Sequence, residues 1–290
     1  MKKIILSLIL GFLVSSLVVA HEEPAKTLRE KKEKEEKAAY YKGKKVVMYT
    51  VWKHELKDNK PDKDHKEKFL TTRLDEEGNI TEMLVYKNSD TLDYRVSFKY
   101  DSHSNMTGET DINPDGSIHE ESEYQYDNFG RVISQINYTE KNVIDSKFTY
   151  KPDNKSNTIT FTKILPSGKT EYVIIYKYDG LVDTGNNTEM IKQKPTGELM
   201  MRVENRYDDL KQRTQKRIFD ANNKLMYYFE YKYFKGTDQF SEIVKISPEG
   251  KVLTKTEYSL NEQGLVQAVA TWDADGKLTS FLSYIYKVNP

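Results

Sequence analysis

Five histidines are the residues of this chain best suited to bind a metal or carry a proton near neutral pH: His21, His54, His65, His103 and His119. No two stand four residues apart, so a helical zinc pair is excluded. His103 and His119 fall where a turn and a strand start are expected, and a hairpin between them would let both reach one ion. At a new N-terminus, His21-Glu22 would offer copper an amine and an imidazole. His54, with the carboxylates of the irregular stretch 40–70, marks the alternative of an envelope enzyme or metal-binding protein. Asp273-Ala274-Asp275-Gly276 has part of a calcium loop, but its Gly comes too early and no Glu follows in place. There is no Gly-x-Ser-x-Gly elbow and no phosphate loop. No catalytic residue, metal site or cofactor is therefore expected. The residues best suited to bind rather than react are aromatic. Trp52, Tyr228 and Trp272 are the candidates for a platform on which a glycan or peptide stacks.

Composition narrows the setting. The 290 residues include no Cys, which excludes disulfides, Cys-bound zinc, thiol catalysis and a bacterial lipoprotein anchor. Charged residues make up 31% yet cancel to a net charge of zero, unlike the basic excess of a nucleic-acid binder. Lys2 and Lys3, the apolar run Ile4 to Val14 and the small residues at Val18-Val19-Ala20 predict an export signal over 1–20, cut after Ala20. No later segment is apolar enough to cross a bilayer as a helix. The product is expected in the periplasm or at the cell surface of a bacterium.

What positions the aromatics is a series of turns. Residues 21–43 are almost wholly Lys, Arg and Glu from Lys26 to Lys37, with Pro24 able to open a helix. They predict a charged helix or linker without an apolar stripe. Val46 to Trp52 is strand-forming, and Lys57 to Lys68, with Pro61, reads as a charged loop. From there the glycines of one group of turns set a pattern: an apolar residue two positions after the Gly and an aromatic eight after. Gly116, Ile118 and Tyr124 are one set. Gly130, Val132 and Tyr138 are another, as are Gly250, Val252 and Tyr258, and Gly264, Val266 and Trp272. Both offsets are even, so in extended chain the marked side chains share one face. Turns of the form Pro-x-Gly, as at Pro248-Glu249-Gly250, alternate with turns that follow Tyr-Asp, as at Tyr126-Asp127. Two strands and two turns form a unit, and about eight units, hence roughly sixteen strands, fit in 44–290.

Tyr126-Asp127-Asn128-Phe129-Gly130-Arg131-Val132 resembles the core of the YD repeats of the RHS family of surface proteins. The resemblance covers about residues 70–290, with degenerate copies such as Tyr207-Asp208-Asp209-Leu210. It implies an all-β protein, a spiral of hairpins, and a small secreted member without the toxin domain of large ones. The expected fold is an antiparallel meander of tandem hairpins forming an elongated or curled sheet, preceded by the charged segment. The expected function is a non-catalytic binding or scaffold module for an envelope or surface protein or a glycan. An outer-membrane barrel is disfavoured by the Lys and Arg that alternate with the aromatics.

Overall fold

The computed structural model describes residues 23–139 and 142–290; the predicted signal and His21 lie outside them. One helix, α1 (Leu28–Gly43), precedes eighteen strands. They are β1 (Val46–Lys57), β2 (Lys60–Leu74), β3 (Ile80–Asn88), β4 (Thr91–Tyr100), β5 (Met106–Ile112), β6 (Ile118–Tyr126), β7 (Val132–Thr139), β8 (Ile144–Asp153) and β9 (Thr158–Ile164). The second half comprises β10 (Thr170–Tyr178), β11 (Asn187–Gln193), β12 (Leu199–Tyr207), β13 (Arg213–Phe219), β14 (Leu225–Tyr233), β15 (Phe240–Ile246), β16 (Val252–Leu260), β17 (Val266–Asp273) and β18 (Leu278–Val288). Every strand pairs antiparallel with its neighbours in sequence, and β18 pairs with β1, so the meander closes into a barrel. The elongated or curled sheet expected from the repeats is thus corrected to a closed ring of 18 strands. The count exceeds sixteen because Lys57 to Lys68 is not a loop. Most of it belongs to β2, with Pro61 at the strand's start opposite Leu56.

The turns form as their residues dictate. After each Tyr-Asp, the Asp closes the turn. Asp127 Oδ1 accepts from the amides of Phe129 (2.9 Å) and Arg131 (3.0 Å). Gly130 then takes φ +82°, the left-handed conformation that ends a type I turn in a bulge. These turns mark one end of the barrel, the near end; the Pro-x-Gly turns lie at the far end. Asp273-Ala274-Asp275-Gly276 is a far-end turn: Asp273 Oδ1 accepts from the amides of Asp275 and Lys277.

The Tyr of the Tyr-Asp pair has its own task. Tyr126 donates its hydroxyl to the Met106 carbonyl (2.6 Å) on the preceding strand. Tyr100 to Ile80, Tyr207 to Asn187, Tyr233 to Arg213 and Tyr286 to Val266 repeat that bond at the same separation of 20 residues. Each bond ties a strand to its predecessor at the near end. We expect Tyr126→Phe to cost about 1–2 kcal/mol by urea unfolding, because it leaves a part-buried carbonyl without its donor.

The expectation that all marked aromatics share a face is corrected by β-bulges. Val132 pairs with Tyr126 but Ser134 with Gln125, so Ile133 is an extra residue and the side-chain alternation flips. Val132 therefore faces the interior, fully buried, whereas Tyr138 lies opposite Glu121 on the outside and donates to Glu123 Oε2 (2.9 Å). β17 has the same irregularity, so Trp272 lies opposite Lys255 on the outside. After far-end turns the bulge acts the other way. Val252 is turned out and Tyr258 in.

The two faces of the wall differ sharply. Inside lie Val96, Phe98, Phe148, Phe161, Ile174 and Phe229, all buried. Outside run ladders of ion pairs across successive strands: Arg73–Glu82–Arg95, Glu189–Arg202–Glu204–Arg217 and Lys232–Glu242–Lys255–Glu257.

α1 starts at Thr27, not at Pro24: the Thr27 hydroxyl caps the amide of Glu30 (3.1 Å). No residue of α1 is buried, as its lack of an apolar stripe predicts. It is nonetheless no free linker, because it lies across the near end. Arg29 bonds Asn186 and the Lys211 carbonyl, Tyr40 reaches the Gln263 carbonyl, and Lys42 pairs with Glu77 (2.6 Å). Ala38 sits so close over Gly78 that any side chain there would collide with the helix backbone.

Candidate functional site

The barrel interior is the site the fold creates. In a barrel of about eight strands, wall side chains fill the middle, whereas barrels of 16–18 strands can hold a channel. Here the inner face carries many aromatic and aliphatic groups, packed so closely that Phe148, Phe161, Ile174 and Phe229 have almost no exposed surface. Phe161 is wholly buried, with ring centroids 5.0 Å from Phe148, 4.9 Å from Tyr150 and 6.3 Å from Tyr172. A second cluster gathers Val203, Ile218, Phe229, Tyr231 and Ile243.

The near end is covered. Besides α1, the segment between β10 and β11 folds over it, burying Val182 completely and pairing Asp183 with Arg131 (3.0 Å). Residues 23–27 run beneath. Ala25 accepts the amide of Val132 (2.9 Å), and Lys26 pairs with Glu23 (2.6 Å) below Tyr176. Burial acts to lower the Lys26 pKa, yet Glu23 and Glu30 together hold it above the ordinary lysine value.

Towards the far end the inner wall acquires charge. The pairings Phe148–Lys163–Tyr172 and Ile174–Lys192–Met201 place both lysines on the aromatic face. Lys192 Nζ stands 3.8 Å from the centre of the Tyr172 ring, and Lys163 Nζ lies 5.8 Å from the same ring. Lys163 also pairs with Glu171 (2.9 Å), the extra residue of a bulge in β10. Lys245 covers Tyr227 at 4.0 Å. Burial lowers the pKa of both Lys192 and Lys245. Deeper in, burial and then Arg213 push Lys216 down to about 8. On β5 and β6, Glu109, Asp111 and Glu120 face inward, and burial followed by Asp111 raises the pKa of Glu120.

The sequence-derived candidates lie elsewhere. Trp52 and Trp272 are on the outer wall, on β1 and β17, with β18 between them. Lys66 stands over the Trp52 ring at 5.1 Å. Tyr228 faces outward, as its position off the aromatic register predicts, but on β14, three strands from Trp272. The three do not form one platform. His103 lies in a near-end turn and His119 at the far end of β6, so the two histidines do not meet on one ion. In the region 40–70, His54 packs edge-on to Phe281. Its ring nitrogens meet the Asp62 carbonyl and Ser283 Oγ, both at 2.8 Å. Among the described residues no group of three or more His, Cys, Asp or Glu could hold a metal ion. The inward lysines were legible as residues in step with the apolar ones, at Phe161-x-Lys163 and Met190-x-Lys192.

The molecule is thus a closed, antiparallel up-and-down β-barrel covered at one end by a helix. No protein-family model matches the chain, and no curated protein matches it. Among solved structures it is similar to a porin-like protein from Bacteroides uniformis, with TM-score 0.42 and 10% identity over 83% of this chain and 98% of that one. A porin-like protein from Bacteroides vulgatus gives TM-score 0.31 and 10% identity over 84% and 98% of the two chains. A Photorhabdus luminescens Tc holotoxin pore gives 0.18 and 12% over 81% of this chain and 16% of that one. All three scores lie below 0.5, and these likenesses carry no argument about function.

Proposed function

We propose that the chain is a non-catalytic binding protein of the bacterial envelope, and that it binds inside its barrel rather than on its outer aromatics. One observation carries this: the inner wall is built mainly of aromatic and aliphatic groups, with a minority of charges, whereas the outer wall is ion-paired. Water confined against Phe, Tyr and Ile gains little, whereas an apolar guest released from water gains about 25 cal/mol for each Å² it buries. The outer ladders of Arg, Lys and Glu suit water; a lipid-facing barrel needs an apolar outer band instead. The covered near end makes the barrel a cup entered from the far end. The export signal read from residues 1–20 supports the envelope location.

The test uses the mature chain in buffer without detergent. It is expected to remain monodisperse and to bind an environment-sensitive apolar dye saturably, with dodecanol displacing the dye. A chain dispersed only by detergent, or one that binds no dye, overturns the proposal.

A further inference from the structure

We infer that a groove on the near-end rim, between the β4–β5 and β6–β7 turns, is a second binding site, and that its ligand is a neutral sugar. The groove has a volume of about 690 Å³, within the range of small-molecule sites. Its floor is the near end of β5 and β6, where Thr107 and Gln125 line it. His103 and Phe129 hold the same position in their two turns and form opposite lips, while Lys31 of α1 lies over Gly130 at the helix side. Two strand spacings separate the turns, about 10 Å, a gap that admits one pyranose ring. Gln125, Asn128 and Phe129 are exposed, and the groove lies away from Trp52, Tyr228 and Trp272. It therefore stands or falls independently of binding in the interior.

The lining chooses the ligand. Phe129 is 65% exposed, with the Arg131 guanidinium 5.3 Å from its ring centre steadying one side. Its open side is a flat apolar surface for the CH face of a sugar. The side chains of Thr107, Gln125 and Asn128 hydrogen-bond to no other described residue. One hydroxyl and two amides, each able to donate and accept, match what neighbouring sugar hydroxyls require. The charges beside them are already engaged. Asp101 accepts from the amides of His103 (2.8 Å) and Asn105 (2.9 Å), Asp127 binds the Arg131 guanidinium (2.7 Å), and the Lys31 ammonium stands 3.9 Å from Glu35. A groove with its charges satisfied suits a neutral ligand over an ionic one. Those same bonds fix both turns in advance, so little ordering is left for the ligand to impose.

The experiment is an NMR titration of the isotope-labelled mature protein with methyl glucoside, methyl galactoside and methyl mannoside. Glucuronate, glucosamine and benzyl alcohol serve as acidic, basic and apolar probes. At least one neutral glycoside is expected to shift the side-chain amide signals of Gln125 and Asn128 saturably, and to bind more tightly than the other three probes. Phe129→Ala is expected to weaken that binding by about tenfold or more, with the barrel's urea midpoint unchanged, and Phe129→Trp to retain it. Dodecanol, the probe of the interior, is expected to leave the sugar affinity as it was. Tighter binding of glucuronate or glucosamine overturns the neutral ligand. Benzyl alcohol binding as tightly as the glycosides overturns the sugar in favour of a merely apolar patch. Undiminished binding by Phe129→Ala, shifts confined to other residues, or no binding of any glycoside overturns the site, and none of these results touches the interior as a binding site.

Discussion

Thr50→Cys together with Ile285→Cys is expected to form a disulfide within one chain, in nearly full yield on oxidation. The two positions are direct partners across the β1–β18 pairing, and both face outward. Thr50 meets the Thr71 hydroxyl there (3.2 Å), and Ile285 is 52% exposed. Directly opposed residues of antiparallel strands stand at about 4.5–5.5 Å between Cα atoms, within the reach of a disulfide. The chain has no other Cys, so no competing pair exists. In an open or curled sheet these strands would lie at opposite edges, and only links between chains would form. Peptide mapping of the oxidised monomer decides between the two. Because the bond closes a loop of nearly the whole chain, it is expected to raise stability by up to about 5 kcal/mol. That gain shows as a higher urea midpoint, removed by a reductant.

Phe161→Ala is expected to be the most damaging of single substitutions in the wall, at about 3–5 kcal/mol. Phe161 has no exposed surface and touches three aromatic rings from β8 and β10, so its loss leaves a hole bounded on both sides. Phe129, at 65% exposed on a near-end turn, is the control. Phe129→Ala is expected to shift stability by well under 1 kcal/mol. Equal effects in urea unfolding would mean that the aromatic interior does not hold the barrel together.

Turn residues and alternation were written locally, and so were readable. Asp127 and Gly130 announce a turn from their own chemistry, and Tyr94, Val96, Phe98 and Tyr100 announce a strand with one apolar face. Closure was not readable, because β1 and β18 pair across the whole sequence and neither carries a local sign of the other. Bulges hid the true faces. One extra residue, Ile133, turns Tyr138 to the outside while its even spacing from Val132 says otherwise. The second strand was missed because Lys60 to Lys68 has no apolar alternation; that stretch is held in line by its pairing with β1. For the site, the aromatic lining was visible as glue of the sheet. Its role as the wall of an interior emerges only once the ring is closed.

The pairing of β18 with β1 also sets an order of assembly. Every other contact between strands joins sequence neighbours and can form hairpin by hairpin as the chain emerges. Until β18 arrives, β1 presents an unpaired edge and the aromatic face has no opposite wall, the state most open to edge-to-edge aggregation. The last strand made is thus the one that ends the danger, and a chain stalled short of it is a substrate for chaperones and proteases. The early edge strand has a partial defence of its own: β2, its first partner, opens with Lys60, Asp62, Lys63, Asp64, Lys66 and Lys68, charges that discourage a foreign strand from docking while the ring is still open.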